Sequence, residues 1–148
     1  GDFSDTDWQH SLGGLHVWIE ALGEPVSHAS LVPRTLVTGG APRHVGYVEA
    51  VATAAPFRRC GHASSVMRRI NELIRQRYEI GALSTGEHGF YERLGWTLWR
   101  GPSFVMTAAG PQPTPDDDDG LMVFITGTSA HIELDGDLIA DWRDGDPW

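Results

Sequence analysis

The sequence contains no lysine: all eleven of its basic residues are arginine. That absence removes Schiff-base chemistry, pyridoxal phosphate attachment and any P-loop built on the usual lysine. The single cysteine, Cys60, cannot close an internal disulfide, so a reducing compartment is the default expectation. No run approaches the roughly 18–20 apolar residues that span a bilayer. The opening residues are acidic, with neither the basic and apolar regions of a signal peptide nor a lipidation motif. The expectation is a cytoplasmic protein with no membrane partner. Seven histidines are scattered without ligand spacing, so no metal site is expected either.

What is present suits one domain. At 148 residues the chain can bury about two thirds of its unfolded surface, and a hydrophobic share of 41% is ordinary for a globular fold. The formal charge is −9, and the acids gather at the start (Asp2, Asp5, Asp7), in the run Asp116 to Asp119, and near the end (Asp135, Asp137, Asp141, Asp144, Asp146). Such runs either solvate loops or make a field that repels nucleic acid and draws in small polycations.

Along the chain, "LHVWIEAL" (15–22) reads as a strand and "EPVSHASLVPRTLVTGG" as its hairpin partner, breaking at Gly39-Gly40. "HVGYVEAVATAA" (44–55) is an alternating, β-branched strand ending before Pro56. Then Ala63, Val66, Met67, Ile70, Leu73, Ile74 and Tyr78 form one stripe of an amphipathic helix, with Arg68, Arg69, Arg75 and Gln76 off it. "IGALS" (80–84) reads as a short strand, and "EHGFYERLG" as a short helix stopped by Gly95. "WTLWR" and "SFVMT" pattern as a hairpin across Gly101-Pro102, "GPQPTPDDDDG" as a loop, and the tail as two or three strands. The order predicts a mixed α/β (α+β) sandwich.

Four arginines lie in "FRRCGHASSVMRRI" (57–70), which fits a nucleic-acid helix, a solvated helix face, or the mouth of an anion site. Within it, Arg58-Arg59-Cys60-Gly61-His62-Ala63 has the form [Gln/Arg]-x-x-Gly-x-[Gly/Ala]. Small residues there let N–H groups converge on a ligand at a helix N-terminus, which suits a pyrophosphate. Alone the motif is weak. It follows a β-branched strand, however, and precedes "FYERLGW" (90–96) by about 30 residues. Strand, anion loop, helix, strand and tyrosine helix together resemble the GCN5-related N-acetyltransferase (GNAT) superfamily. "GDFSDTDW", "GYVEAVA", "GALS", "TPDDD" and "DWRDGDPW" resemble its aminoglycoside 2′-N-acetyltransferases along essentially the whole chain. That group carries a strand and a helix before "GDF", so residues 1–148 are expected to be a single GNAT domain that is N-terminally incomplete.

The resemblance implies a central mixed sheet with two splayed strands, acetyl-CoA as cofactor, a homodimer, and a polycationic aminoglycoside as the acceptor. Backbone groups of Val51, Ala52 and Thr53 would meet the pantetheine arm, and N–H groups from Arg58 to Ala63 (through Arg59, Cys60, Gly61 and His62) the pyrophosphate. Tyr91 would be the acid that protonates the leaving sulfur. Glu49, mid-strand in "YVEAVA", and the carboxylate of Trp148 are both candidates for the base. Substrate contacts would come from Asp2, Asp7, Glu49, Ala50, Ser84, Asp116, Asp117, Asp146 and Trp148. Cys60 and His62 sit in the anion loop without the geometry of an acyl-enzyme pair, so Cys60 is expected to be a spectator. Polyamines, peptide N-termini and cell-wall amines stand as alternative acceptors on the same fold.

Overall fold

A computed structural model describes residues 7–11, 14–21, 23–53 and 61–148, with residues 7–11 and 21 by backbone alone. In chain order the elements are β1 (Asp7–Ser11), β2 (Gly14–Ala21), β3 (Glu24–Thr38), β4 (Ala41–Thr53), α1 (His62–Arg77), β5 (Ile80–Ser84), α2 (His88–Glu92), β6 (Thr97–Leu98), β7 (Ser103–Thr107), β8 (Gly110–Pro113), β9 (Leu121–Ile125) and β10 (Leu138–Ala140). A 3-10 turn at Pro115–Asp117 precedes β9.

The strands make one sheet ordered β6-β9-β5-β4-β3-β10-β7-β8. β2 pairs with the first half of β3 and carries β1 outside it, while β10 takes the far end of β3. Most pairs are antiparallel. The exceptions are β4 with β5 and β10 with β7. The parallel β4–β5 pair needs a crossover, and α1 supplies it.

Strand alternation divides the core into two layers. Leu15, Val17, Ile19, Ala29, Leu31 and Val48 pack with the buried face of α1: Val66, Met67, Ile70, Leu73 and Ile74. These five helical side chains are fully buried and belong to the stripe read from the sequence; each contributes about 1.5–3 kcal/mol. On the other face Leu36, Val45, Tyr47, Trp99, Leu121, Leu138 and Trp148 form a second cluster. Tyr47 and Glu49 therefore share the face opposite α1.

Two expectations are corrected. "WTLWR" and "SFVMT" do not pair with each other: β6 joins β9, and β7 lies between β8 and β10. Distant chain overrides the Gly-Pro turn. Arg100 and Gly101 donate their N–H groups to Leu134 O (2.9 and 3.1 Å), and Trp99 Nε1–H donates to Gly136 O (2.9 Å). A Cβ on Gly101 would lie 1.9 Å from that same Gly136 oxygen, so only glycine allows the approach. Secondly, the proline-rich loop contains β8. Its Pro111 and Pro113 are tolerated because β8 is the sheet's edge, where a missing N–H breaks no ladder.

Candidate active site

A cleft of about 1550 Å³ opens where β4 and β5 part. Their pairing stops at Tyr47↔Ala82, yet β4 runs on to Thr53. Beyond Tyr47 the main chain of β4 has lost its β5 partner and borders the cleft instead. On its other edge the strand carries a bulge: Ser30 faces Glu49 and His28 faces Ala52, so Ala50 and Val51 together oppose Ala29. Ala50 takes the left-handed region at φ 53°, a conformation that costs a residue with a Cβ about 1–2 kcal/mol. Side chains of β3 pin the bulge. Ser30 Oγ–H donates to Glu49 O (3.0 Å), and His28 Nδ1–H to Ala50 O (3.3 Å). His28 Nε2 can then accept from His16 Nδ1–H, 2.9 Å away.

Opposite β4 stands the start of α1. Gly61 is its N-cap at φ 82°, no side chain among the described residues caps it, and its first turn holds no acid. The first-turn N–H groups of a helix have no intrahelical acceptor, and the dipole adds positive partial charge. A Cβ on Gly61 would meet nothing within 4 Å, so glycine is needed for its φ rather than for space. Gly61, His62 and Ala63 line the cleft, as do Val51, Ala52 and Thr53 across from them. Backbone donors on one side and an uncapped helix start on the other fit a pantetheine arm ending in a pyrophosphate. Arg58, Arg59 and Cys60 lie outside the described residues. Arg68 and Arg75 are exposed, and Arg69 pairs with Glu72 at 3.0 Å, which makes them the solvated face of α1.

Tyr91 reaches the cleft from α2 and is 6% exposed. Its ring stands edge-on to Phe90 (4.8 Å between centroids) and Trp96 (6.2 Å). The turn after α2 fixes it: Leu94 and Trp96 donate N–H to Tyr91 O (2.9 and 3.0 Å), and Gly95 closes the turn at φ 94°. Buried Asn71 then ties that turn to α1, donating Nδ2–H to Leu94 O and accepting from Trp96 Nε1–H, both at 3.0 Å. Burial, and then the Glu87 carboxylate, push the Tyr91 phenol up to about 12. The group keeps its proton at neutral pH.

The cleft also has polar and acidic lining. Glu49, Ser84, Glu87, Asp144, Asp146 and Trp148 all line it. Arg143, which sequence reasoning missed, pairs there with Glu49, donates Nε–H to Asp146 O (2.7 Å), and lies 5.4 Å from the Tyr47 ring centroid. Tyr47, also missed, has a buried hydroxyl with no hydrogen-bond partner among the described residues, and desolvation raises its pKa strongly. Trp148 is held by its N–H to Asp146 Oδ1 and its Nε1–H to Thr114 Oγ1, both at 3.0 Å.

Asp116 and Asp117 sit on the 3-10 turn and are not among the residues lining the cleft. Asp117 is held above the usual carboxylate range by partial burial and then by the charges of Asp146, Asp116 and Asp118. Asp118 is spent on structure, accepting from Ser103 N–H (2.8 Å) and Ser103 Oγ–H (2.6 Å). Asp2 and the side chain of Asp7 lie outside the described residues.

Comparison with known proteins agrees with this geometry. Residues 10–99 match the Acetyltransferase (GNAT) domain. Over its whole length the chain is 43% identical to the aminoglycoside 2′-N-acetyltransferase of Mycolicibacterium fortuitum, covering 78% of that protein. Similar solved structures include the GNAT family N-acetyltransferase YhbS of Escherichia coli in complex with CoA, with a TM-score of 0.58, 12% identity, and coverage of 88% of this chain and 67% of that one. A GCN5-related N-acetyltransferase from Kribbella flavida gives a TM-score of 0.55 and 23% identity over 57% of this chain, which spans only 22% of that longer one. At such identities the two structures speak to the fold alone. Splayed strands, uncapped helix start and domain match together place the chain in the GNAT family of acetyl-CoA-dependent N-acetyltransferases.

Proposed function

We propose that the chain acetylates the 2′-amine of aminoglycosides and so confers resistance to them. The reading is carried by the 43% identity, over the whole length of this chain, to an aminoglycoside 2′-N-acetyltransferase, together with the carboxylates that line the cleft. An aminoglycoside is a polycation, and carboxylates from several elements suit it. Glu49, Glu87, Asp144 and Asp146 supply them here.

Acetyl-CoA, when bound, supplies the acetyl group in activated thioester form. The chain's own residues do the rest. β4 main chain from Ala50 to Thr53 and the N-terminus of α1 from Gly61 to Ala63 hold and orient it. A backbone N–H near the bulge at Ala50–Val51 polarises the carbonyl. Tyr91 Oη keeps the proton that the leaving sulfur takes up. Glu49 takes the proton that the amine gives up, directly or through one water. The same reading extends to a cytoplasmic homodimer.

Thiol release from acetyl-CoA, measured with matched aminoglycosides bearing either a 2′-amine or a 2′-hydroxyl, tests the reading. Turnover of the amine alone is expected. Equal turnover of both would end the regiochemical assignment, and turnover of polyamines alone would end the substrate class. Sedimentation at twice 16.2 kDa is the expected mark of the dimer.

A further inference from the structure

Arg143, Asp144, Asp146 and Trp148 line the acceptor end of the cleft from a segment that contains neither helix nor strand. Besides the Arg143–Glu49 and Trp148–Thr114 contacts, one side chain from far away ties this segment at two points. Arg34, on β3, has a side chain only 3% exposed and directs its whole guanidinium at the segment. Its Nε–H donates to Asp141 Oδ1 (2.8 Å), an Nη2–H to Asp141 O (3.0 Å), and an Nη1–H to Pro147 O (2.7 Å). The same group lies 4.8 Å from the ring centroid of Tyr47 and 5.9 Å from that of Trp148. One planar fork therefore ties both ends of residues 141–147, and the lining side chains project from between those ties or just beyond them. Arg34 is itself not among the residues lining the cleft.

A buried guanidinium is tolerated only when charge and donors are both matched, as they are here by one carboxylate and two carbonyls. An ammonium cannot reproduce a planar fork that meets three acceptors. We propose that Arg34 is a positioning residue for the acceptor wall: a buried strap-holder that fixes where Arg143, Asp146 and Trp148 stand without touching substrate. The proposal rests on the reading that this end of the cleft receives the amine. Loosening the strap releases Arg143 from Glu49 and scatters the acceptor contacts. The start of α1 and Tyr91 belong to other elements and stay in place.

The test uses the full chain with Arg34→Met, Arg34→Lys and Asp141→Asn. KM values for acetyl-CoA and for the amine that the wild type turns over fastest come from thiol release. Amide hydrogen exchange of residues 141–148 is followed without any substrate. Arg34→Met is expected to raise the acceptor KM about tenfold or more, and the other two variants by less. The acetyl-CoA KM should move less than about twofold, while exchange across 141–148 accelerates in all three. Asp141 is 41% exposed in its side chain, so Asp141→Asn keeps the test alive if a change at Arg34 prevents folding. An unchanged acceptor KM in the folded variants overturns the proposal, as does an equal rise in both KM values. Unchanged exchange refutes the strap itself, independently of which amine the enzyme takes.

Discussion

Replacing Tyr91 by phenylalanine separates a chemical role from a packing role. The ring makes its edge-on contacts with Phe90 and Trp96 through carbon, and no hydrogen bond holds the hydroxyl among the described residues. Tyr91→Phe should therefore fold normally at pH 7, within about 0.5 kcal/mol of the wild type. At high pH the two should part. The phenol is carried from its ordinary value near 10 to about 12, chiefly by burial, so the folded state holds its proton more tightly than the unfolded state does. That contribution is complete below pH 10 and is lost as pH rises through 12, a total of about 3 kcal/mol. The variant lacks this loss, so its stability should fall less steeply between pH 10 and 12. Tyr47 and Tyr78 are also raised by burial and leave some slope in both proteins. Urea unfolding at pH 8, 10 and 11 reads the difference. At neutral pH, loss of the proton donor should lower kcat by about 10²–10⁴ while changing the acetyl-CoA KM by less than about threefold. An unchanged kcat at saturating substrates would refute the acid role; parallel stability curves would refute the buried phenol.

Three further perturbations probe the other walls. Asn71→Leu leaves Trp96 Nε1–H and Leu94 O without partners, at a cost of about 2–5 kcal/mol; calorimetry should show Tm lower by roughly 5–15 °C. Gly61→Ala forces a Cβ into φ 82° for about 1–2 kcal/mol of strain, and its acetyl-CoA KM should rise while the acceptor KM holds; equal effects on both would remove Gly61 from the cofactor cradle. Glu49→Gln keeps the shape but drops the charge that meets Arg143. Stability should change by no more than about 1 kcal/mol, because the pair is one third exposed, whereas acceptor KM should rise about tenfold in the thiol-release assay.

How far the sequence could be read depended on how local each feature is. The stripe from Ala63 to Tyr78 foretold α1, and "IGALS" foretold β5 to the residue, because a buried face imposes its period on adjacent residues. The two backbone walls that face each other across the cleft were legible for the same reason: a glycine at a helix start and the strand before it are neighbours in the chain. The pairing of β6 with β9 was not legible, since it depends on Trp99 and Gly101 packing against residues 134–136. Nor was Arg143. It stands in a segment whose acids were noticed, yet its partner Glu49 lies 94 residues away. Arg34 looks like any solvent-facing arginine until β10 and the tail close over it.

Charge shows the difference most sharply. A net −9 with three clusters of aspartate suggests a broad acidic field, but the fold disposes of those acids one by one. Asp141 is spent on Arg34, Asp135 on Arg100 at 2.9 Å, Glu72 on Arg69, and Asp118 on the Ser103 hydroxyl and N–H. Glu49 meets Arg143 inside the cleft itself. Among the described residues lining the cleft, Glu87, Asp144 and Asp146 carry no ion pair, although Asp146 accepts the Trp148 N–H. The unpaired negative charge that lines the cleft is thus confined to a few carboxylates. Neighbouring acids in a sequence share a field only when the fold leaves them without cations, so partner counting across the tertiary structure decides which of them can bind.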